Sequence, residues 1–160
     1  EQLRAQPCVS GETWEWDGVS FSLWQWSGAR DSNQKSCVLQ VQANDERLLL
    51  TGDIDASAER DLLRSPLAVP TQWLQAPHHG SRTSSSMVFL KALAPARVLI
   101  SRGHGNSYGH PHPQVIARYN ALGVQVLDSA EQGAIRFRLG GFAEAQGMRD
   151  QRRFWRSSPG

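Results

Sequence analysis

The sequence has no apolar run approaching the roughly 18 residues a membrane-spanning helix requires, which excludes a helical span within it. Its basic charge carries almost no lysine: Lys35 and Lys91 are the only two, and the rest is arginine. Arginine suits bidentate phosphate contacts, and arginine-rich coding produces the same bias with no functional content. Cysteine is confined to Cys8 and Cys37, too few for a zinc site of the CxxC kind. The two are either one bridge in an oxidising compartment or a pair of buried thiols. No G-x-S-x-G elbow and no G-x-x-x-x-G-K-[ST] loop occurs, which excludes the usual serine-hydrolase and P-loop chemistries. There is no internal repeat, and no signal peptide is expected in this stretch. The chain opens on Glu1-Gln2-Leu3-Arg4 without an initiator Met, so we expect an excised piece of a longer polypeptide.

What is present suits one globular domain with a real core: 160 residues, 39% hydrophobic and 20% charged. Thr13 to Trp16 and Val19 to Trp24 alternate about Asp17-Gly18, a hairpin signal. Trp14 and Trp16 share one side of it, and sheet packing is favoured over base stacking for them. Ser36 to Ala43 and Arg47 to Thr51 form a second antiparallel hairpin. The pattern then changes to helix (56–64), strand (72–76), helix (from Val88 to Leu93), strand (96–101), helix (114–122) and strand (124–127), with a further strand at 134–139. Hairpins followed by alternating helix and strand predict a layered α/β domain with a mixed sheet. The domain is expected over 1–140. A basic tail follows at 141–160, with Arg149, Arg152, Arg153 and Arg156, and is expected to be loosely ordered.

Two apolar strands each stop at a polar cluster. Leu48-Leu49-Leu50 ends in Thr51-Gly52-Asp53, and Trp73 to Ala76 ends in Pro77-His78-His79-Gly80-Ser81. Strand ends gather ligand-binding side chains on one rim of layered α/β folds. Asp53 is therefore a candidate metal ligand, with a helix-capping or turn aspartate as the plain alternative. Asp55 and Glu59 read as capping or solvated. Adjacent His78 and His79 suit one metal ligand plus one supporting or acid–base group, and the sequence leaves open which is the ligand. The loop Ser101 to Pro113, SRGHGNSYGHPHP, carries Asn106, Tyr108 and His110. His110 is held in a Gly-His-Pro turn, aimed at a metal or a phosphate, while His104 and His112 read as surface residues. Ser81 and Ser84 are candidate phosphate hydrogen-bond donors.

In order along the chain, Ser36-Cys37-Val38-Leu39, LLLTGD (Leu48 to Asp53) with Glu59 after it, PHHGS (Pro77 to Ser81) with Ser84-Ser85, Ile100-Ser101, NSYGHP (Asn106 to Pro111) and Gly133-Ala134-Ile135 resemble the metallo-β-lactamase-like domain of the ComEC family. That family comprises membrane proteins of natural DNA uptake. The resemblance implies an αββα sandwich, present here mainly as its C-terminal half. It implies a divalent metal, zinc or manganese, on Asp53 and on His78 or His79. It also implies a hydrolase of phosphodiesters, a nuclease, with His79 and His110 assisting and Ser81, Ser84, Asn106, Tyr108 and His110 at the substrate. The partners implied are DNA, the transmembrane channel portion of the same polypeptide and other competence proteins. The domain would lie on the periplasmic or extracellular side, which favours a Cys8–Cys37 bridge. The superfamily block H-x-H-x-D-H does not occur in the chain and is expected upstream of Glu1, so the metal site here is expected to be incomplete. The alternative is a catalytically inactive DNA-binding or structural module of the same uptake machinery.

Overall fold

Asp17 and Gly18 both adopt positive φ, 51° and 74°, the geometry a two-residue hairpin turn demands. This fixes β1 (Thr13–Trp16) antiparallel to β2 (Val19–Trp24), with Trp14 opposite Phe21. A computed structural model describes residues 6–149. In it β2 continues antiparallel to β3 (Val38–Ala43), and β3 to β4 (Glu46–Leu50). From β4 onward the pairing turns parallel, through β5 (Trp73–Gln75), β6 (Arg97–Ile100) and β7 (Gln125–Asp128). The result is one seven-stranded mixed sheet whose spatial order is its chain order. The expected α/β class and mixed sheet with antiparallel hairpins are thus observed.

The three parallel crossovers are α1 (Ala56–Leu62), α2 (Met87–Leu93) and α3 (Pro113–Ala121). Right-handed crossovers that all step the same way along a sheet stack on one face. Their buried stripes accordingly share one core: Ala58 and Leu62 from α1, Phe89, Leu90 and Leu93 from α2, Val115 and Tyr119 from α3, set against Val38, Leu49, Leu74, Val98 and Ile100 of the strands. Asp55 caps α1 by accepting from the Ser57 and Ala58 N–H groups, which stops the strand-end loop and starts the helix in the same two residues. A one-turn helix α4 (Ser129–Gln132) follows β7.

The opposite face of the sheet is apolar as well. Phe21, Leu23, Leu39, Val41, Leu48, Leu50 and Leu99 lie on it half-buried. Trp14 and Trp16 extend it onto the exposed edge strand at 42% and 75% exposure. Trp14 stacks on Phe21 with ring centroids 4.9 Å apart, as sheet packing predicts. Part of this face is covered by the segment after α4. There the expected strand at 134–139 contracts to β8 (Ile135–Arg136), which pairs with β9 (Gln146–Gly147). Phe137 stacks on Trp73 at 4.0 Å. The fully buried Glu46 accepts from the Trp73 indole N–H and the Gly140 and Phe142 backbone N–H groups. Residues 141–149, expected in the loose tail, are therefore tied to the body, because backbone amides there satisfy a buried carboxylate. Arg149 donates to the Ala130 carbonyl. Arg152, Arg153 and Arg156 lie outside the described residues. Cys8 and Cys37 form a disulfide, and no described helix is long and apolar enough to cross a membrane.

Candidate functional site

Three loops meet at the ends of β4, β5 and β6. The first is Thr51-Gly52-Asp53. Gly52 has φ +56°, and a Cβ there would sit 2.8 Å from the Ser36 Cβ. The Ser36 hydroxyl accepts from the Asp53 N–H at 2.9 Å. Glycine is thus required for the β2–β3 connection to close against the strand end and set the Asp53 backbone.

The second loop is the tight turn Pro77–Gly80. His78 (φ 49°, ψ 43°) and His79 (φ 55°, ψ 22°) are both left-handed, a costly conformation for two successive non-glycine residues. Strain of this kind concentrates at functional sites and persists where surroundings enforce it. Here the His78 N–H donates to the Gly52 carbonyl and the His112 N–H to the Gly80 carbonyl. Gly80 (φ +82°) fits so closely under Pro111 that a Cβ would lie 2.7 Å from the Pro111 Cβ. The turn is thereby clamped between the first loop and the third, residues 101–112.

The clamp aims His79. Its Nδ1 lies 2.6 Å from the Ser101 carbonyl, a partner that can only accept, so Nδ1 carries the proton. Its Nε2 then faces the Asp53 Oδ1 at 3.7 Å. An unprotonated imidazole nitrogen and a carboxylate oxygen repel unless a proton or cation lies between them. Ligand atoms about 2.1 Å from a tetrahedral metal sit about 3.4 Å from each other, close to the separation observed. A histidine whose other nitrogen is fixed by a carbonyl is also the usual form of a metal ligand. Of the two histidines, His79 is the one whose ring nitrogen faces the Asp53 carboxylate.

His78 and His110 approach edge to face with centroids 5.7 Å apart. The His110 Nδ1 is buried without a hydrogen-bond partner among the described residues. Burial, and then the neighbouring His78, His79 and His112, push the His110 imidazole below its ordinary value, against the pull of Asp53. A neutral His110 with an unpartnered nitrogen has capacity to bind a metal or a donor. Asn106 fixes this residue through its backbone: its amide donates to the His110 carbonyl and accepts from the His110 N–H. Tyr108 is 82% exposed and its ring lies 23° from parallel to that of His110. These side chains, with His79, Ser101, Arg102 and Gly103, line an open cleft. Arg102 is held by Asp128 at 2.6 Å and faces Glu131 at 3.6 Å.

The serines take other positions. Ser84 is buried and its hydroxyl is shared between the Pro77 and Ser81 carbonyls, so it braces the histidine turn from behind. The Ser81 hydroxyl meets that of Thr83 at 3.1 Å. His112 is the N-cap of α3, accepting from the Gln114 N–H, and is not a free surface residue.

Glu59 corrects the sequence reading more sharply. It is not solvated but fully buried. It accepts from the Ser85 N–H, and from the Ser86 N–H at 2.9 Å. The adjoining Ser85 hydroxyl bonds the buried Tyr119 hydroxyl at 2.7 Å, and Arg118 donates to the Ser84 and Ser85 carbonyls. Burial raises the Glu59 carboxyl above its ordinary range despite these donors, and raises the Tyr119 hydroxyl to about 12. The network anchors the 84–86 segment that supports the turn.

The donors present fit one edge of a divalent-metal site. Asp53 and His79 face one point, while no three His, Cys, Asp or Glu side chains among the described residues form a metal-holding group.

The chain is 40% identical over 159 residues to Competence protein ComA of Neisseria gonorrhoeae, covering 97% of this chain and 23% of that protein. It is 41% identical over 131 residues to the uncharacterized protein YcaI of Escherichia coli, covering 80% of the chain and 17% of the relative. It is 33% identical over 131 residues to Recombination protein 2 of Haemophilus influenzae, covering 81% and 16%. The chain thus spans less than a quarter of the length of these curated relatives. No protein-family model matches it.

Proposed function

Because the chain belongs to the ComEC family of competence proteins, we propose that it is part of the metal-dependent hydrolase domain of a membrane DNA-uptake protein. In this reading it is the C-terminal half of a metallo-β-lactamase-like αββα sandwich. The apolar sheet face opposite the helices then receives a second sheet, and the domain lies outside the cytoplasm beside the transmembrane portion of its own polypeptide. The oxidised Cys8–Cys37 pair is in keeping with that location.

One observation carries the reading: the His79 Nε2 faces the Asp53 Oδ1 while its Nδ1 is committed to the Ser101 carbonyl. Asp53 and His79 would hold a zinc or manganese ion, and donors from outside this chain would complete its coordination. When bound, such an ion lowers the pKa of a coordinated water and stabilises charge on a phosphodiester. The Ser101 carbonyl keeps the His79 proton on Nδ1 and the donor nitrogen turned inward. Asn106 holds the His110 backbone so that a neutral imidazole faces the phosphate. Tyr108 and Arg102 flank the approach.

The test uses the full-length parent protein. Asp53→Ala and His79→Ala should each abolish metal-dependent cleavage of single- or double-stranded DNA, with the purified protein still folded. Cleavage that survives both substitutions would overturn the assignment.

A second reading makes no use of a metal. It is a catalytically inactive DNA-binding or structural module of the same uptake machinery. It predicts salt-sensitive DNA binding with no metal-dependent cleavage in the full-length parent.

A further inference from the structure

Away from this site, a second cleft opens between the loop at 26–34 and the outer face of α1. Its lining includes Trp26, Arg30, Arg60 and Arg64 together with the carboxylate of Asp61, and its volume is about 370 Å³. We infer that this cleft is a contact for single-stranded nucleic acid, with phosphates on Arg30, Arg60 and Arg64 and a base against Trp26. The choice of nucleic acid as occupant rests on the proposed function; the cleft's capacity for anions does not.

The charge balance comes first. Three arginines line one cleft against one lining carboxylate, Asp61, which faces Arg64 at 3.6 Å. Arg60 donates one N–H to the Ser57 hydroxyl, so most of its five donors remain available. Of the neighbouring carboxylates, Asp31 accepts from the Gln34 backbone N–H, and Asp55, which accepts from the Gln34 amide and caps α1, also interacts with the charge of Arg60. Gathering like charges costs energy that an anion recovers, and guanidinium groups match phosphate oxygens in pairs.

The loop is also built to hold its shape. The Arg30 N–H donates to the Gln34 side chain, whose amide reaches Asp55. Gly28 lies so close to the Trp26 indole that a Cβ would sit 3.0 Å from the ring. The half-buried indole is packed against the core cluster and therefore presents a fixed aromatic surface. A fixed aromatic beside arginines is the usual platform for single strands, because an unpaired base can stack while the backbone follows the charge. Asp55 ties this loop to the start of α1, two residues from Asp53.

The experiment is fluorescence anisotropy of a labelled oligothymidylate with the 160-residue chain across a salt series. Arg30→Ala/Arg60→Ala should weaken binding about tenfold. It should also reduce the slope of log affinity on log salt by about 1.4, the value for two phosphate contacts on a single strand. Arg30→Lys/Arg60→Lys should restore the slope, which a misfolded variant does not do. Trp26→Leu should remove the preference of the wild type for oligothymidylate over an abasic strand of equal length. Unchanged affinity and slope in the double alanine variant overturn the cleft, and equal binding of the abasic strand by the wild type overturns the stacking. DNA cleavage by Asp53→Ala is read in the full-length parent and strand binding by Arg30→Ala/Arg60→Ala in the 160-residue chain, so the two measurements report separately on the metal site and the cleft.

Discussion

The His79 Nε2 and the Asp53 Oδ1 stand 3.7 Å apart, one supplied by a strained turn after β5 and the other by a glycine-dependent loop after β4. In the proposed metal site these two donors would make half of a four-ligand set. Structural zinc sites with four ligands gain about 10–16 kcal/mol, so half a site corresponds to a dissociation constant of micromolar or weaker. Calorimetric titration of the 160-residue chain with zinc or manganese should show weak binding that Asp53→Ala or His79→Ala removes. Tight stoichiometric binding would contradict a two-donor site.

Gly80 tests the clamp. Any side chain at φ +82° is strained, and here it also meets Pro111. Gly80→Ala should cost about 1–3 kcal/mol in urea denaturation and force the histidine turn away from the loop at 110–112. The same substitution in the full-length parent should lower cleavage although residue 80 supplies no chemical group. Stability equal to wild type would show that Pro111 yields freely.

Glu59 gives the chain a pH signature. Its carboxyl is raised in the folded state by burial above its ordinary 4.5. The native state therefore holds this proton more firmly than the unfolded chain. The associated stability is fully present below about 4.5 and is lost as pH rises through the raised folded value. Glu59→Gln should flatten that part of the stability–pH curve, measured by urea midpoints. Glu59→Ala leaves two buried N–H groups without an acceptor and should cost about 2–4 kcal/mol. A wild-type curve parallel to that of Glu59→Gln would exclude a raised carboxyl.

Much of this arrangement was legible in the sequence. Asp17-Gly18 marked the first hairpin. The apolar strands stopping at Asp53 and at His78-His79 marked the rim, because strand length and turn chemistry are local. The orientation of His79 toward Asp53 was not legible, since it depends on the Ser101 carbonyl, 22 residues further on. Glu46 and Glu59 were missed because carboxylates are ordinarily solvated, and only tertiary structure supplies the N–H groups that bury them. The same cause hid the order of residues 141–149. Their two-residue strand carries no periodicity, and their anchor is Glu46, nearly a hundred residues earlier. Arg30, Arg60 and Arg64 each read as ordinary surface charge until the fold set a loop beside a helix.

The disulfide supplies the last prediction. Cys8 and Cys37 are separated by 29 residues, and their bridge closes the β1–β2 hairpin and the following loop into one ring. A loop of that length corresponds to about 3–4 kcal/mol of lost freedom in the unfolded chain. Reduction, or Cys8→Ser/Cys37→Ser, should lower stability by about that amount in urea denaturation. The loss should be localised: hydrogen exchange should quicken in β1, β2 and the loop at 26–35, and stay slow in β5, β6 and β7, whose core contacts come from α1, α2 and α3. Uniform acceleration across the sheet would mean that the ring contributes to global cooperativity and does not merely hold down one edge.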